Sequence, residues 1–338
     1  MIDKNSINLD QKVVLITGGT GSFGQQCAQH LLNNFNLKKL IIFSRDEQKQ
    51  VEMQFSKMFK DKKELRFFIG DVRDVNRLKM AMRGVDYVIH AAALKHVPVA
   101  EYNPFECIHT NVLGAENIVT ASIESGVESV IALSTDKAVN PINIYGASKL
   151  AADKIFVAAN AFAGDVKTRF SIVRYGNVLG SRGSIVPLFR KLIEEGAESL
   201  PITDERMTRF WITMSQGIDF VLSSMALQKG GEIFVPKAPS MKIKDLVTAL
   251  APNASTHIVG VRPGEKIHEV LITEDDTSDI LDLGDRYIIT PYHDPSIAKH
   301  HIANNAIMVD KGFKYSSDNN SQWLNNKQFI ELLGESGL

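Results

Sequence analysis

Two cysteines, Cys27 and Cys107, are all that 338 residues contain, and they show no metal-type spacing. That scarcity fits a thiol-reduced, cytoplasmic setting. An excess of charge is missing too: the formal net charge is −1. This removes the electrostatic case for a dedicated nucleic-acid binder, while a local basic pocket for an anionic ligand stays open. No apolar run approaches the roughly 18–20 residues of a membrane span. The first residues, Met1 to Gln11, are polar and lack the apolar centre of a signal peptide. Internal repeats and low-complexity stretches are absent. The expected partners are therefore small molecules or further copies of the chain, with no nucleic acid and no membrane.

What is present reads as an ordinary globular protein, 44% hydrophobic and 23% charged. The length suits one large domain or two joined ones. Short apolar runs fall at Val13–Ile16, Leu40–Phe43, Arg66–Ile69, Tyr87–His90, Ser129–Ser134 and Phe170–Val173. Continuous apolar runs of this length suit buried parallel strands. Helical stretches between them, from about Phe23 to Asn33 and from Asp46 to about Phe59, imply right-handed βαβ units. The expected fold class is α/β: a doubly wound parallel sheet over residues 1–177. After Gly176 many prolines break the chain into shorter pieces. Residues 178–338 read as a smaller mixed α/β substrate domain, with some segments returning to the first core.

The first strand runs into Gly18-Gly19-Thr20-Gly21-Ser22-Phe23-Gly24. Glycines at intervals of three allow a tight turn and let backbone N–H groups approach a pyrophosphate, with a helix N-terminus behind them. A glycine pattern alone also fits a surface turn. Strand before and helix after favour a dinucleotide cofactor. The second strand ends Ser44-Arg45-Asp46, with Lys49 one turn later. An acidic residue at that strand end usually bonds the ribose of NAD. A hydroxyl and two cations instead suit the 2′-phosphate of NADP, the expected cofactor. The other reading makes Arg45 and Lys49 solvated charges and gives Asp46 to the ribose of NAD. Asp71 and Val72 follow the third strand, where Asp71 could accept from an adenine amino group. Ala91 and Ala92 follow the fourth, where small side chains let a nicotinamide lie close.

Ser134-Thr135-Asp136-Lys137 follows the fifth strand, and Tyr145 and Lys149 come soon after. Four residues apart, Tyr145 and Lys149 share a helix face. A nearby ammonium favours phenolate, which makes Tyr145 a usable base for a sugar hydroxyl that Thr135 can orient. By chance the same spacing pairs a core tyrosine with a surface lysine.

Taken with the glycine turn, this set resembles the extended short-chain dehydrogenase/reductases that act on nucleotide sugars, and the resemblance spans essentially the whole chain. Epimerases of that family need only the Thr/Tyr/Lys set. A 4,6-dehydratase also needs a base for the carbon-5 proton and an acid for the departing carbon-6 hydroxyl. In dTDP-glucose 4,6-dehydratases the two positions read Asp-Glu. Here they read Asp136-Lys137, which resembles the inverting UDP-N-acetylglucosamine 4,6-dehydratases. The resemblance implies Asp136 as the acid and a partly neutral Lys137 as the base. It adds Lys95, Thr110 and Val178 beside the cofactor. For the UDP-sugar it implies Asn177, Arg182, Gly183, Ser184 and Ile185, then Thr203, Arg209, Arg262 and Glu265. The tail from Phe313 to Leu324 resembles the soluble branch of that family, at the start of pseudaminic acid synthesis. Relatives pair through helices beside the tyrosine, so a homo-oligomer is expected. A UDP-sugar 4-epimerase and a non-catalytic NADP-sensing protein remain as rivals.

Overall fold

The computed structural model describes residues 7–164, 166–181, 184–276 and 279–336. The first apolar run is β1 (Val13–Thr17), buried at every position. It turns through the glycines into helix α1 (Ser22–Asn34). Strand β2 (Lys39–Ser44) leads to helix α2 (Glu47–Phe55), which ends earlier than the sequence suggests, at a Ser56 cap. Strands β3 (Leu65–Ile69), β4 (Tyr87–His90), β5 (Ser129–Thr135) and β6 (Arg169–Tyr175) complete the expected series.

These strands lie in the order β6-β5-β4-β1-β2-β3, all parallel. From β1 the chain winds outward to β3, then crosses back to β4 and winds the other way. The two directions part between β1 and β4, and a crevice opens beyond the carboxyl ends of such strands. Beyond β6 the sheet continues with the parallel strand Ile233–Pro236. Arg286–Ile289, Ile280–Asp282 and Ile307–Met308 follow, all antiparallel. The doubly wound α/β expectation holds, with an antiparallel edge supplied by the second half of the chain.

A separate apolar cluster, around Phe189, Trp211, Met241, Leu246 and Phe329, is built entirely from residues 179–333. It supports a smaller three-stranded sheet of Asn177–Val178, Thr208–Ile212 and Ser240–Lys242. Burying the Trp211 and Phe329 rings at 5.8 Å stabilises it by a few kcal/mol. This second body hangs over the carboxyl ends of β4, β5 and β6. Among the described residues no helix is long and apolar enough to cross a membrane.

Candidate active site

The glycine turn works as backbone geometry demands. Gly18 has φ +66°, and a Cβ there would stand 2.9 Å from Ala92 Cα. A Cβ on Gly24 would sit 2.5 Å from Gly19 Cα, so only glycine lets α1 pack onto the turn. Gly21 caps α1 without any side-chain hydrogen bond, leaving the first N–H groups of the helix open. Between this turn and the second body lies a cleft of about 600 Å³.

The cleft gathers most of the residues singled out above. Gly18, Thr20, Gly21, Ser22, Phe23 and Gly24 line it, with Ser44 and Arg45 from the end of β2. Asp71, Val72, Ala91, Ala92, Lys95 and Thr110 line its next stretch. Thr135, Asp136, Lys137, Tyr145, Lys149, Asn177, Val178 and Ser184 line the far end. Arg182 and Gly183 lie outside the described residues.

Asp46 and Lys49 are not in that lining. Asp46 caps α2 by accepting from the Lys49 N–H at 3.0 Å, and its carboxylate also takes the Lys49 ammonium at 2.7 Å. Each satisfies the other, so neither reaches into the cleft. Arg45 is held more loosely, 3.9 Å from Asp71 Oδ2 and about half exposed. Asp71 spends its carboxylate chiefly on Arg73, at 2.7 and 3.0 Å.

Residues 109–113 form a π-helical turn that carries Thr110 and Asn111. Asn111 accepts from the Leu94 N–H at 2.8 Å and donates to the Leu94 carbonyl at 2.9 Å and to Ser148 at 2.9 Å. It thus fastens the segment after β4 to the helix that carries Tyr145. Thr110 Oγ1 is buried with no hydrogen-bond partner, on the cleft wall. The open helix N-terminus, the left-handed Gly18 and this unpartnered hydroxyl fit a dinucleotide.

Tyr145 and Lys149 stand one turn apart on the helix Ile144–Phe162, both buried. Lys149 donates to the Leu133 carbonyl at 2.7 Å. Burial lowers its pKa, and buried Asp153, one turn further along, opposes that. Asp153 is fixed by Ser134 at 2.8 Å and Arg174 at 3.2 Å. The sequence reading missed it, although its spacing from Lys149 puts it on the same helix face. Burial pushes the Tyr145 phenol up to about 12, against the pull of Lys137 and a hydrogen bond with Thr135.

Thr135 donates to Asp136 Oδ1 at 2.6 Å, and Lys137 Nζ lies 3.1 Å from the same oxygen. Lys137 Nζ also reaches Glu269 Oε1 at 3.4 Å. Burial acts to lower the Lys137 pKa, but Asp136 and Glu269 together outweigh it and hold the ammonium above its ordinary range. The partly neutral lysine expected from sequence is therefore not the resting form. Asp136 is pushed up by burial and down by Lys137 and its hydrogen bonds, and the net direction is down.

Four expected substrate residues are outside that lining, though Arg209 reaches its edge through Glu269. Thr203 donates to Glu265 at 3.4 Å. Arg209 is buried and spends its donors on the carbonyls of Thr208, Lys266 and Ile267, on Glu269 at 3.4 Å and on Glu265 at 3.7 Å. Arg262 is exposed in the turn before Glu265. None of these four lines the cleft, and neither does Ile185, which starts the helix Ile185–Glu194.

Comparison with known proteins agrees with this architecture. The profile of the polysaccharide biosynthesis protein family matches residues 14–291. An inverting UDP-N-acetylglucosamine 4,6-dehydratase of Campylobacter jejuni is 54% identical over 332 residues, covering 97% of this chain and 98% of that protein. A UDP-glucose 4-epimerase of Rickettsia akari is 44% identical over 285 residues, 82% of each chain. The X-ray structure of Pen from Bacillus thuringiensis superposes with a TM-score of 0.88 at 35% identity, covering 98% of this chain and 99% of that one. A profile match over most of the chain and full-length identity above one half show that this chain belongs to the polysaccharide biosynthesis protein family, within the extended short-chain dehydrogenase/reductases.

Proposed function

We propose that this chain is a UDP-N-acetylglucosamine 4,6-dehydratase, a lyase that inverts carbon 5 and uses NADP. The observation that carries the reading is the pairing of Asp136 and Lys137 beside Tyr145 in one cleft. A 4-epimerase needs no acid and base beyond the tyrosine, so this pair would have no work to do.

A bound nicotinamide would supply a hydride acceptor and, later in the same turnover, a hydride donor. Gly18, Gly21 and the open end of α1 would cradle its pyrophosphate, and Ser44 with Arg45 would take a 2′-phosphate. Tyr145 would remove the proton from the carbon-4 hydroxyl, which Thr135 orients. For the phenol to lose its proton, cationic charge must gather beside it, and Lys149 and Lys137 supply part of that. A ketone at carbon 4 acidifies the proton on carbon 5. Lys137 would take that proton while Asp136 protonates the carbon-6 oxygen and water departs. This needs a neutral Lys137 and a protonated carboxyl group beside it at the moment of elimination.

Asn177 and Ser184 would contact the UDP-sugar. Arg209 is read as a support for Glu269 and Glu265, because three carbonyls take its N–H groups and both carboxylates pair with its charge. The tail resemblance supports a place at the start of pseudaminic acid synthesis, and the same resemblance supports a homo-oligomer paired through the helices beside Tyr145. The 4-epimerase reading draws on the Rickettsia relative. Incubation with UDP-N-acetylglucosamine and mass spectrometry tests the choice: a product lighter by one water supports the dehydratase, and an isobaric product or none defeats it.

A further inference from the structure

The second half of the chain contributes one carboxyl group to the Asp136–Lys137 pair. Glu269 is 2% exposed, and its backbone is clamped to Ser317 by two hydrogen bonds, at 2.8 and 2.9 Å. Its Oε1 faces two cations, Lys137 Nζ at 3.4 Å and Arg209 Nε at 3.4 Å. Its Oε2 is buried and no donor points at it. A carboxylate oxygen left so is costly, whereas the same oxygen carrying a proton is itself a donor. Asp136 is the carboxylate neighbouring Glu269, and both meet the Lys137 ammonium, at 3.1 and 3.4 Å, so a proton can be shared between them. Asp136 itself is already served by the Thr135 hydroxyl, the Lys137 N–H and the Lys137 ammonium. Of the two carboxyl groups, Glu269 is therefore the better place for a proton.

Resting on the dehydratase reading, we infer that Glu269 is the proton-holding member of this cluster: it keeps a proton on Oε2 and passes it to Asp136 as the carbon-6 hydroxyl departs. Glu269 does not line the cleft, so it acts through Asp136 as a positioning and relay residue. The balance closes. The Glu269 O–H bond breaks as an Asp136 O–H bond forms, and that proton moves to the carbon-6 oxygen. The carbon–oxygen bond breaks and water leaves. Lys137, which lines the cleft and is 31% exposed, first gives its resting ammonium proton to solvent. The neutral amine then gains the carbon-5 proton, and the electron pair of that C–H bond forms the carbon 5–carbon 6 double bond. The new ammonium returns its proton to Glu269 across the 3.4 Å contact. The charged groups facing Glu269 are Asp136 and Lys137 from the turn after β5, Arg209 from Thr208–Ile212, and Lys266 from its own segment. Burial and repulsion by Asp136 raise its pKa, against Lys137 and Arg209, so it holds a proton above the usual carboxylate range.

The test is Glu269→Gln, an isostere whose amide can donate to Asp136 but cannot release a proton. Wild type and variant are compared with NADP and UDP-N-acetylglucosamine. The inference expects kcat for water loss to fall on the order of 100-fold or more with KM little changed. It also expects oxidation at carbon 4 to proceed and stall, read as persistent near-ultraviolet absorbance of reduced nicotinamide, and Glu269→Asp to recover part of the rate. A near-normal rate of water loss in Glu269→Gln overturns the inference and leaves the dehydratase reading intact. A raised KM and lowered thermal midpoint without the stalled absorbance also overturn it, since that is what a merely structural role gives. If wild type itself eliminates no water, the dehydratase reading falls and the relay with it. Infrared difference spectra of wild type give a check that needs no folded variant. A protonated-carboxyl band at neutral pH supports the inference, and its absence overturns it.

Discussion

Arg45→Ala should weaken NADP binding and leave NAD binding unchanged. The Arg45 guanidinium sits at the end of β2, half exposed, and its nearest carboxylate is 3.9 Å away at Asp71. It therefore gives up little to meet a 2′-phosphate. A hydrogen bond to a charged group contributes about 1.5–3 kcal/mol, and solvent exposure here trims that to about 1–2 kcal/mol. The expected loss is roughly 5- to 30-fold in Kd for NADP. NAD has no phosphate at that position, so its Kd should hold. Lys49→Ala is the control. Lys49 is spent on Asp46 at 2.7 Å, and an exposed pair of that kind contributes little, so NADP affinity should shift by about twofold at most. Both dissociation constants can be read by isothermal titration at fixed, moderate salt. The reasoning is refuted if Arg45→Ala weakens both dinucleotides alike, or if Lys49→Ala matches Arg45→Ala.

Three other outcomes are expected. Asn111→Ala strands the N–H and carbonyl of Leu94 and should lower stability by about 3 kcal/mol in urea, weakening NADP binding as well; an unchanged midpoint would contradict the clamp. Lys137→Ala and Tyr145→Phe should each abolish turnover while a folded, NADP-binding protein remains; near-normal turnover in either would remove the assigned roles. His90 is pushed down to about 3 from 6.5, first by burial and then by the charge of Lys149. The unfolded chain then takes up a proton that the folded one refuses. The stability linked to His90 is complete above pH 6.5 and is lost as pH falls from there toward 3. His90→Asn should flatten the stability profile in that window, and an unaltered slope would count against a buried neutral imidazole.

Much of the site was legible because its signals are local. Gly18, Gly21 and Gly24 announce a turn through spacing alone, and Tyr145 with Lys149 declare a shared face through one helical turn. The six parallel strands were legible because each is a short, mostly apolar run. The antiparallel edge was not, since Ile280–Asp282 and Ile307–Met308 are too short to carry a period. Asp46 and Lys49 looked like ligand groups because sequence lists charges without saying which satisfy each other. The surroundings of Arg209 were hidden too: three backbone carbonyls and the carboxylates of Glu265 and Glu269, which no local pattern reveals. Glu269 meets Lys137 across 132 residues, and nothing short of the fold brings them together. The grip of Asn111 on Leu94 joins a π-helical turn to the segment after β4, and no local spacing announces it.

The most direct test of the account is proton NMR of wild-type protein turning over UDP-N-acetylglucosamine in D₂O. A new carbon-6 methyl signal, deuterium at carbon 5 and ring couplings of the L-arabino sugar are predicted. The same methyl with D-xylo couplings would keep the dehydratase and contradict inversion. A 4-epimer, or unchanged substrate, would contradict the central claim.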